Sequence, residues 1–302
     1  MNIAYRFRIY PTEEQKILLG KTFGCCRFLY NQMLNDKIRE YAKTKKMLKN
    51  TPAMYKKEYP FLKEIDSLAL ANVQLHLEKA YKNFFRDPKI GFPRFKSKHH
   101  SKNSYTTNVV NGNILVESKR IRLPKLKWIA MKKHREPAEG LRLKSVTVSM
   151  EPSGKYFASL LYEGYSCENQ AAGPDYSTAK ILGIDYAMQG MAVFSEKVET
   201  EEAGFFRKNE KRLAREQRKL SRCVRGSHNY ELQKKKVARC HEKIRNQRRD
   251  HLHKLSRKIA DGYDAAAVED IDMKAMGQCL HFGKSVQDNG YGMFREMLDY
   301  KL

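Results

Sequence analysis

Two short apolar runs in the second half of the chain each end in an acidic residue, and both have the pattern of a buried β-strand. The first run, 180–187, contains Asp185, and the second, 264–270, contains Glu269. A charge at the end of a buried strand is costly to desolvate unless it has a partner. The pattern therefore predicts strands of one sheet that deliver two carboxylates to one site.

A divalent cation shared by Asp185 and Glu269 would supply that partner. Mg²⁺ prefers oxygen ligands, and metal ions held by carboxylates activate water and stabilise the leaving oxygen in phosphodiester hydrolysis. A second interpretation makes Asp185 a turn or capping residue and pairs Glu269 with a nearby arginine. Spacing alone also leaves three other acids as alternatives to Glu269, namely Asp264, Asp270 and Asp272.

The region between the two runs, about 209–262, is predicted to be helical, with an interruption near Gly226, and it is strongly basic. Residues 205–258 contain 20 Lys and Arg against five Asp and Glu, a net charge of +15. A solvated helix usually balances its charges through i,i+4 pairs, and this one does not. The alternative is a charged solvent face, but the pattern favours a helix pair along a nucleic-acid backbone. The candidate phosphate contacts are Arg212, Arg215, Arg218, Lys219, Arg222, Arg245 and Arg248.

The charge of the whole chain indicates the same class of partner. Lys and Arg number 59 against 34 Asp and Glu, a formal net charge of +25. Such an excess attracts polyanions, of which nucleic acid is the commonest in a cell. The sequence has no apolar run of about 18 residues and no signal peptide, so we expect a soluble intracellular protein rather than a membrane protein. The six cysteines form no CxxC pair, so zinc is not expected.

The first half of the chain is predicted to mix helices with short strands. A strand over 3–10 carries Arg6 and Arg8, two further candidate nucleic-acid contacts, on one face. Thr12 begins a helix with Gln15 three positions later. Helices are expected over 13–43 and 67–85. A basic loop with interleaved aromatic residues, 91–98, includes Lys96. Short strands follow, and the last two flank a hairpin turn; we place them at 114–116, 121–123, 144–150 and 156–162.

A linker rich in Gly, Pro, Ala and Ser over 166–178 is the predicted boundary between two domains. We expect a first domain over 1–165, with its helices at about 12–90, and a second over 179–302. The fold class predicted from these elements is a multidomain α+β protein.

Taken together, these segments resemble the TnpB/OrfB family of insertion-sequence transposons, relatives of the type V CRISPR effector nucleases. The resemblance covers nearly the whole chain. It rests on YRFRIYPTEEQ (5–15), GCCRFLYN (24–31), LKEIDSLALANVQLHLEKAYKNFF (62–85), GFPRFKSK (91–98), IRLPKLKW (121–128), GIDYAMQGMAVFS (183–195), LAREQRKLSRCV (213–224), VEDIDMKAM (268–276) and GMFREMLDYKL (292–302).

The resemblance implies an N-terminal helical recognition lobe inserted in a wedge-like β-barrel, followed by an RNase H-like (RuvC) α/β domain with a long basic helical insertion. It implies that Asp185 and Glu269 are the first and second RuvC carboxylates and hold Mg²⁺. It also implies partners, namely a guide RNA from the transposon end and a double-stranded DNA target beside a short adjacent motif. With these partners we expect the protein in the bacterial cytoplasm, associated with the nucleoid. Ser67 and Asn111 match the segments that contact that motif, and Arg27 and Lys96 lie in matching basic segments.

The sequence departs from the family pattern at its C-terminal end. No counterpart of the last core strand, the zinc ribbon or the third RuvC aspartate follows residue 302, so we expect an incomplete RuvC domain. The expected function is RNA-guided DNA binding with impaired cleavage. The alternatives are an active Mg²⁺-dependent RNA-guided endonuclease and a decayed transposase remnant without function; the sequence leaves the oligomeric state open.

Overall fold

The first strand and the first helix have the local structure that the sequence predicts. The computed structural model describes residues 2–98, 100–164, 178–187, 191–200, 204–272 and 288–302. Strand β1 spans Asn2–Tyr10, and helix α1 spans Glu13–Thr44. Thr12 and Gln15 form a capping box at the start of α1, which satisfies backbone donors that the first turn leaves without partners. The Gln15 side-chain amide also donates to the backbone oxygens of Leu126 and Trp128, at 2.9 and 2.8 Å, so it ties α1 to the sheet.

The chain divides into two compact units, residues 1–167 and 168–302. The predicted linker, 166–178, lies outside the described residues except for its last position. The first unit is built on a seven-stranded antiparallel sheet with the strand order β2-β6-β7-β1-β5-β4-β3. The six strands besides β1 are Asn103–Asn108 (β2), Leu115–Val116 (β3), Arg120–Leu123 (β4), Lys127–Lys132 (β5), Arg142–Met150 (β6) and Tyr156–Glu163 (β7).

Helices α2 (Pro52–Glu58) and α3 (Ser67–Arg86), with two short 3₁₀ turns (Pro60–Lys63 and Pro88–Ile90), complete the first unit. Its core joins buried side chains of β1, α1 and α3, including Phe7, Leu29 and Leu77. The predicted hairpin turn joins β6 to β7. Gly154 adopts a φ of +82° there, a conformation that residues with a side chain rarely adopt. The observed architecture of this unit is therefore mixed α+β around one large sheet.

The second unit has a three-stranded sheet with the order β10-β8-β9. Its strands are Ile181–Ala187 (β8), Met191–Phe194 (β9) and Ala265–Val268 (β10), and its helices are Phe205–Ser221 (α4), His228–Gly262 (α5) and Tyr291–Asp299 (α6). One face of β8, with Leu182, Ile184 and Tyr186, packs in a core with buried residues of α5 and α6. The opposite face of β8 carries Asp185 and is open to solvent.

Candidate functional site

The parallel pairing of β10 with β8 brings the two predicted acids side by side. Val268 lies opposite Ile184 in the register of these strands, so the following position sets Glu269 beside Asp185. Successive side chains of a strand point to opposite faces of the sheet. Because Ile184 is buried in the core, Asp185 points to the open face, and both acids are exposed there.

The two carboxyl groups interact directly. The pKa of Glu269 is raised above its ordinary value, chiefly by a side-chain hydrogen bond with Asp185, then by partial desolvation and by the negative charge of Asp185. Two adjacent carboxylates repel one another unless a proton or a cation lies between them. The pair is therefore a place where a cation would replace a shared proton.

The donor set fits Mg²⁺, because both groups supply hard oxygen ligands on an open, solvent-accessible face. Within the part of the chain that the structure describes, no three His, Cys, Asp or Glu side chains cluster in a way that could hold a metal ion. The described residues thus contribute two carboxylates to such a site, and any further protein ligand lies outside them.

The neighbouring acids have other contacts. Asp264, at the far end of β10, accepts a hydrogen bond from the backbone nitrogen of Lys180 at 2.8 Å. Asp270 forms an ion pair with Arg295 of α6 at 2.7 Å. Register and contacts together therefore single out Glu269, rather than Asp264 or Asp270, as the residue beside Asp185.

Tyr291 of α6 lies close to the carboxylate pair, and sequence patterns did not point to it. Its side chain is buried, and its ring stands edge-on to that of Tyr186 with centroids 4.8 Å apart. Burial raises the pKa of Tyr291, and the charges of Glu269 and Asp185 raise it further, against a lowering by Arg295. The phenol therefore stays protonated near the acids at neutral pH.

Asp288 has a structural role in the second unit. It is 3% exposed, accepts hydrogen bonds from the backbone nitrogens of Phe206 and Arg207 at the start of α4, and pairs with Arg248 at 3.2 Å. Arg248, a predicted phosphate contact, is thus engaged inside the protein. It is not part of the nucleic-acid surface proposed below.

Helices α4 and α5 form a basic groove. Arg212 and Lys219 of α4 line one side, with Asn209 and Glu216, and the other side comes from α5 with Lys236, Arg239, Cys240 and Lys243. Glu216, the acid in the groove, accepts a hydrogen bond from Gln233 at 2.7 Å. Five cations against one acid give the groove a positive potential suited to phosphate groups.

Two of the five cations that line this groove are among the candidate phosphate contacts predicted from the sequence. Arg212 and Lys219 were predicted, whereas Lys236, Arg239 and Lys243 were not, although their i, i+3, i+7 spacing places them on one stripe of a helix. The other predicted cations of the two helices are exposed but do not line the groove: Arg215, Arg218, Arg222 and Arg245.

A second basic cleft lies in the first unit, between α1, α3, β2 and the loop after α3. Arg27, His76, Lys96 and Lys102 line it, together with small polar side chains of β2. The Lys96 ammonium lies 4.0 Å from the centre of the Tyr30 ring, and burial lowers the pKa of Lys96. The structure therefore brings Arg27 and Lys96 together, with Ser104 on the facing strand.

The remaining predicted contacts lie outside this cleft. Ser67 is exposed at the start of α3, where its hydroxyl accepts a hydrogen bond from Lys56 Nζ at 2.9 Å. Asn111 is exposed in the turn after β2, with a φ of +49°. Arg6 pairs with Glu151 at 2.6 Å, and Arg8 lies 5.3 Å from the centre of the Phe157 ring, so both contact the sheet itself.

Comparisons with known proteins identify the family. A family profile described as "Probable transposase" (OrfB, IS605 type) matches residues 164–279, and one described as "Helix-turn-helix domain" of the same family matches residues 1–46. A Streptomyces pristinaespiralis protein named "Putative RNA-guided DNA endonuclease" is 31% identical over 99% of this chain and 74% of its own length. The Escherichia coli K12 protein named "Putative RNA-guided DNA endonuclease InsQ" is also 31% identical, over 99% of this chain and 77% of its own length. The chain belongs to the TnpB/OrfB family.

The N-terminal region of this TnpB/OrfB chain is not a helix-turn-helix in the structure, although the matching profile is described as one. Residues 2–44 form one strand followed by one unbroken helix of 32 residues, rather than two helices joined by a turn. Among solved structures, a chain of the Cas12f1–sgRNA–target DNA complex matches 99% of this TnpB/OrfB chain and 83% of its own length, with 12% identity and a TM-score of 0.30. No residue role follows from so weak a likeness. None of the described helices is both long and apolar enough to cross a membrane.

Proposed function

We propose that this chain binds a guide RNA from the transposon end and the double-stranded DNA that the guide selects, and that Asp185 and Glu269 hold Mg²⁺ at a RuvC-type centre. The observation that carries the proposal is the register of β8 and β10, which sets these two carboxyl groups together on an open face of the sheet. The names of the relatives at 31% identity support the same partners.

Each part of the proposed centre has a defined task. When bound, Mg²⁺ supplies the charge that activates water and stabilises the leaving oxygen of a phosphodiester. Asp185 and Glu269 position that charge, because β-sheet pairing fixes the backbone of both strands. Burial of Tyr186 and Tyr291 beneath the pair limits the movement of this end of β8.

We propose that cleavage is impaired with these two carboxylates alone. The family pattern has a third RuvC aspartate, and the described residues supply no third acid at the pair. Asp288 is engaged with Arg248 and the start of α4, so it does not serve as a substitute. The loss of one ligand that positions charge in the transition state is expected to remove most turnover while leaving binding in place.

The binding surfaces follow from the distribution of charge. We propose that the first unit, with a helical recognition lobe at about 12–90 in a wedge-like barrel, uses the cleft at Arg27 and Lys96 to contact DNA beside the target, with Ser67 and Asn111 as further contacts. Residues 179–302, within the second unit, form the RuvC domain, and the α4–α5 groove holds a nucleic-acid backbone. The cations that line both places support this assignment.

The metal site is tested by thermal unfolding of the full chain with and without Mg²⁺. The melting temperature of the wild type should rise with Mg²⁺, and this rise should vanish in Asp185→Ala and Glu269→Gln. Asp264→Asn, at the far end of β10, is the matched control and should keep the full response. An equal response in all four proteins would contradict the metal site.

The same variants separate binding from chemistry. Asp185→Ala should bind guide RNA and target DNA as the wild type does, because the phosphate contacts lie in the groove and the cleft. A collapse of binding in Asp185→Ala would show that Asp185 is structural. Efficient Mg²⁺-dependent cleavage by the wild-type chain alone would contradict the proposal that cleavage is impaired.

A further inference from the structure

A patch of exposed aromatic side chains lies where α3 ends and the basic loop begins. Phe85 is 66% exposed, Phe92 45% and Phe95 57%, and Ile90 beside them is 53% exposed. Clusters of exposed large apolar side chains in soluble proteins mark surfaces that bind a partner. We call these four exposed side chains at the end of α3 and in the following loop, Phe85, Ile90, Phe92 and Phe95, the aromatic platform.

The rings of the platform are held in place from below. Tyr81 is buried and lies nearly parallel to Phe85, with centroids 6.2 Å apart and an interplanar angle of 24°. Phe92 stands edge-on to both Tyr81 and Phe84, at 5.5 and 5.4 Å. Gly91 has a φ of +83°, which lets the chain turn back so that Phe92 reaches α3. Phe85 and Phe92 are therefore held in place before any partner arrives, which lowers the entropic cost of binding.

The surroundings of the platform are basic. Residues 82–98 contain six Lys and Arg and a single acid, Asp87, whose side chain caps the 3₁₀ turn by accepting from the backbone nitrogen of Lys89. Five of these cations are exposed and have no carboxylate partner among the described residues: Lys82, Arg86, Lys89, Arg94 and Lys98. Exposed rings interleaved with unpaired cations combine base stacking with phosphate contact.

We propose that the aromatic platform stacks unpaired bases of the guide RNA while the surrounding cations hold its phosphates. The inference rests on the proposed binding of guide RNA and names the surface that contacts its single-stranded part. A folded RNA presents unstacked bases in loops, bulges and ends, whereas the bases of an arriving DNA duplex are stacked inside the helix. A protein partner fits less well, because interfaces between proteins are depleted in lysine.

The test uses the full chain and two RNA probes of equal length, one single-stranded with a fluorescent purine analogue and one fully paired. The variants are Phe85→Ala and Phe95→Ala, with Phe85→Trp to restore a stacking surface. Leu75→Ala is the matched control, since Leu75 is 52% exposed on the same helix and lies outside the platform.

Each alanine variant should raise the Kd for the single-stranded probe about five- to a hundredfold, and the analogue should lose its quenching. The Kd for the paired probe and the salt dependence of binding should stay unchanged, because no phosphate contact is removed. Phe85→Trp and Leu75→Ala should behave as the wild type. Rescue by tryptophan identifies stacking, since a merely structural role would not depend on a flat ring of that kind.

Three outcomes would overturn the inference or its basis. Unchanged affinity and quenching in both alanine variants, with a wild type that binds RNA, would exclude stacking at the platform. The proposed binding of guide RNA would not be affected by that result. Loss of self-association in Phe85→Ala without any effect on RNA would identify the platform as a protein-docking surface. A wild type that binds neither probe would instead contradict the proposed binding of guide RNA itself.

Discussion

At the scale of single residues, the second unit places its acids in two opposite environments. Asp185 and Glu269 lie together on an exposed face, where a raised pKa at Glu269 reflects their mutual hydrogen bond and repulsion. Asp288 is almost fully buried, forms an ion pair with Arg248 and accepts hydrogen bonds from two backbone nitrogens at the start of α4. The first arrangement leaves room for a cation from solution, and the second already has its cation in Arg248.

Asp288→Ala should therefore destabilise the second unit strongly. Removal of one partner from a buried ion pair costs about 3–5 kcal/mol, because the remaining charge stays buried without compensation. Asp270→Ala is the control: it breaks an exposed ion pair with Arg295, and pairs of this kind contribute about 1 kcal/mol or less. Denaturant unfolding of the full chain measures both losses. If the two variants lost equal stability, the pair between Asp288 and Arg248 would have no structural role.

At the scale of elements, α4 and α5 turn a run of basic sequence into a shaped surface. A small apolar seam, with Leu213, Cys240 and Ile244, holds the two helices together. The groove beside the seam collects two cations from α4 and three from α5. Its stripe on α4 runs from Asn209 to Lys219, a distance of about 15 Å at the rise of an α-helix. That length suits a short stretch of nucleic-acid backbone rather than a single phosphate.

The double variant Lys236→Gln/Arg239→Gln should weaken RNA binding and reduce its salt dependence. Each phosphate contact to a single strand contributes about 0.7 to the slope of log K against log salt, so the slope should fall by about 1.4. The charge-matched control is Lys254→Gln/Arg257→Gln, on the same helix but engaged with Asp250 and Asp261. Titrations at several salt concentrations measure both. Equal changes in the two variants would indicate a diffuse electrostatic effect and no specific groove.

At the scale of the whole molecule, each compact unit has a hydrophobic core of its own. Leu29 is fully buried in the core of the first unit, and Leu252 is 1% exposed in the core of the second. Replacement of a buried leucine by alanine removes apolar contacts and leaves a cavity, at a cost of about 2–5 kcal/mol.

We expect Leu29→Ala to lower the stability of the first unit and Leu252→Ala that of the second. Hydrogen exchange of backbone amides, followed by mass spectrometry, reports protection in each unit separately. Protection should fall in the unit that carries the substitution and remain in the other. Equal loss in both units for either variant would show that the chain unfolds as one cooperative body.

Local chemistry made several elements predictable from the sequence. The capping box at Thr12 and Gln15, the hairpin before Gly154 and the interruption between α4 and α5 all depend on residues a few positions apart. Strands β2 and β5 and helix α2 were not predicted. The inward residues of β2 are only Tyr105 and Thr107, so its alternation of apolar and polar residues is too weak to identify a strand.

The sequence by itself determined the family, the basic character of the long helices and the two runs that end in Asp185 and Glu269, because motifs and charge are properties of the chain. Only the tertiary structure decided which acids adjoin, since the register between β8 and β10 joins positions 84 residues apart. It also decided that Arg248 pairs with the buried Asp288 while Lys236 and Arg239 line the groove, and that Phe85 and Phe92 remain exposed. Whether a cation or an aromatic ring is buried or exposed depends on what packs against it. That packing comes from long-range contacts, which local sequence patterns do not encode.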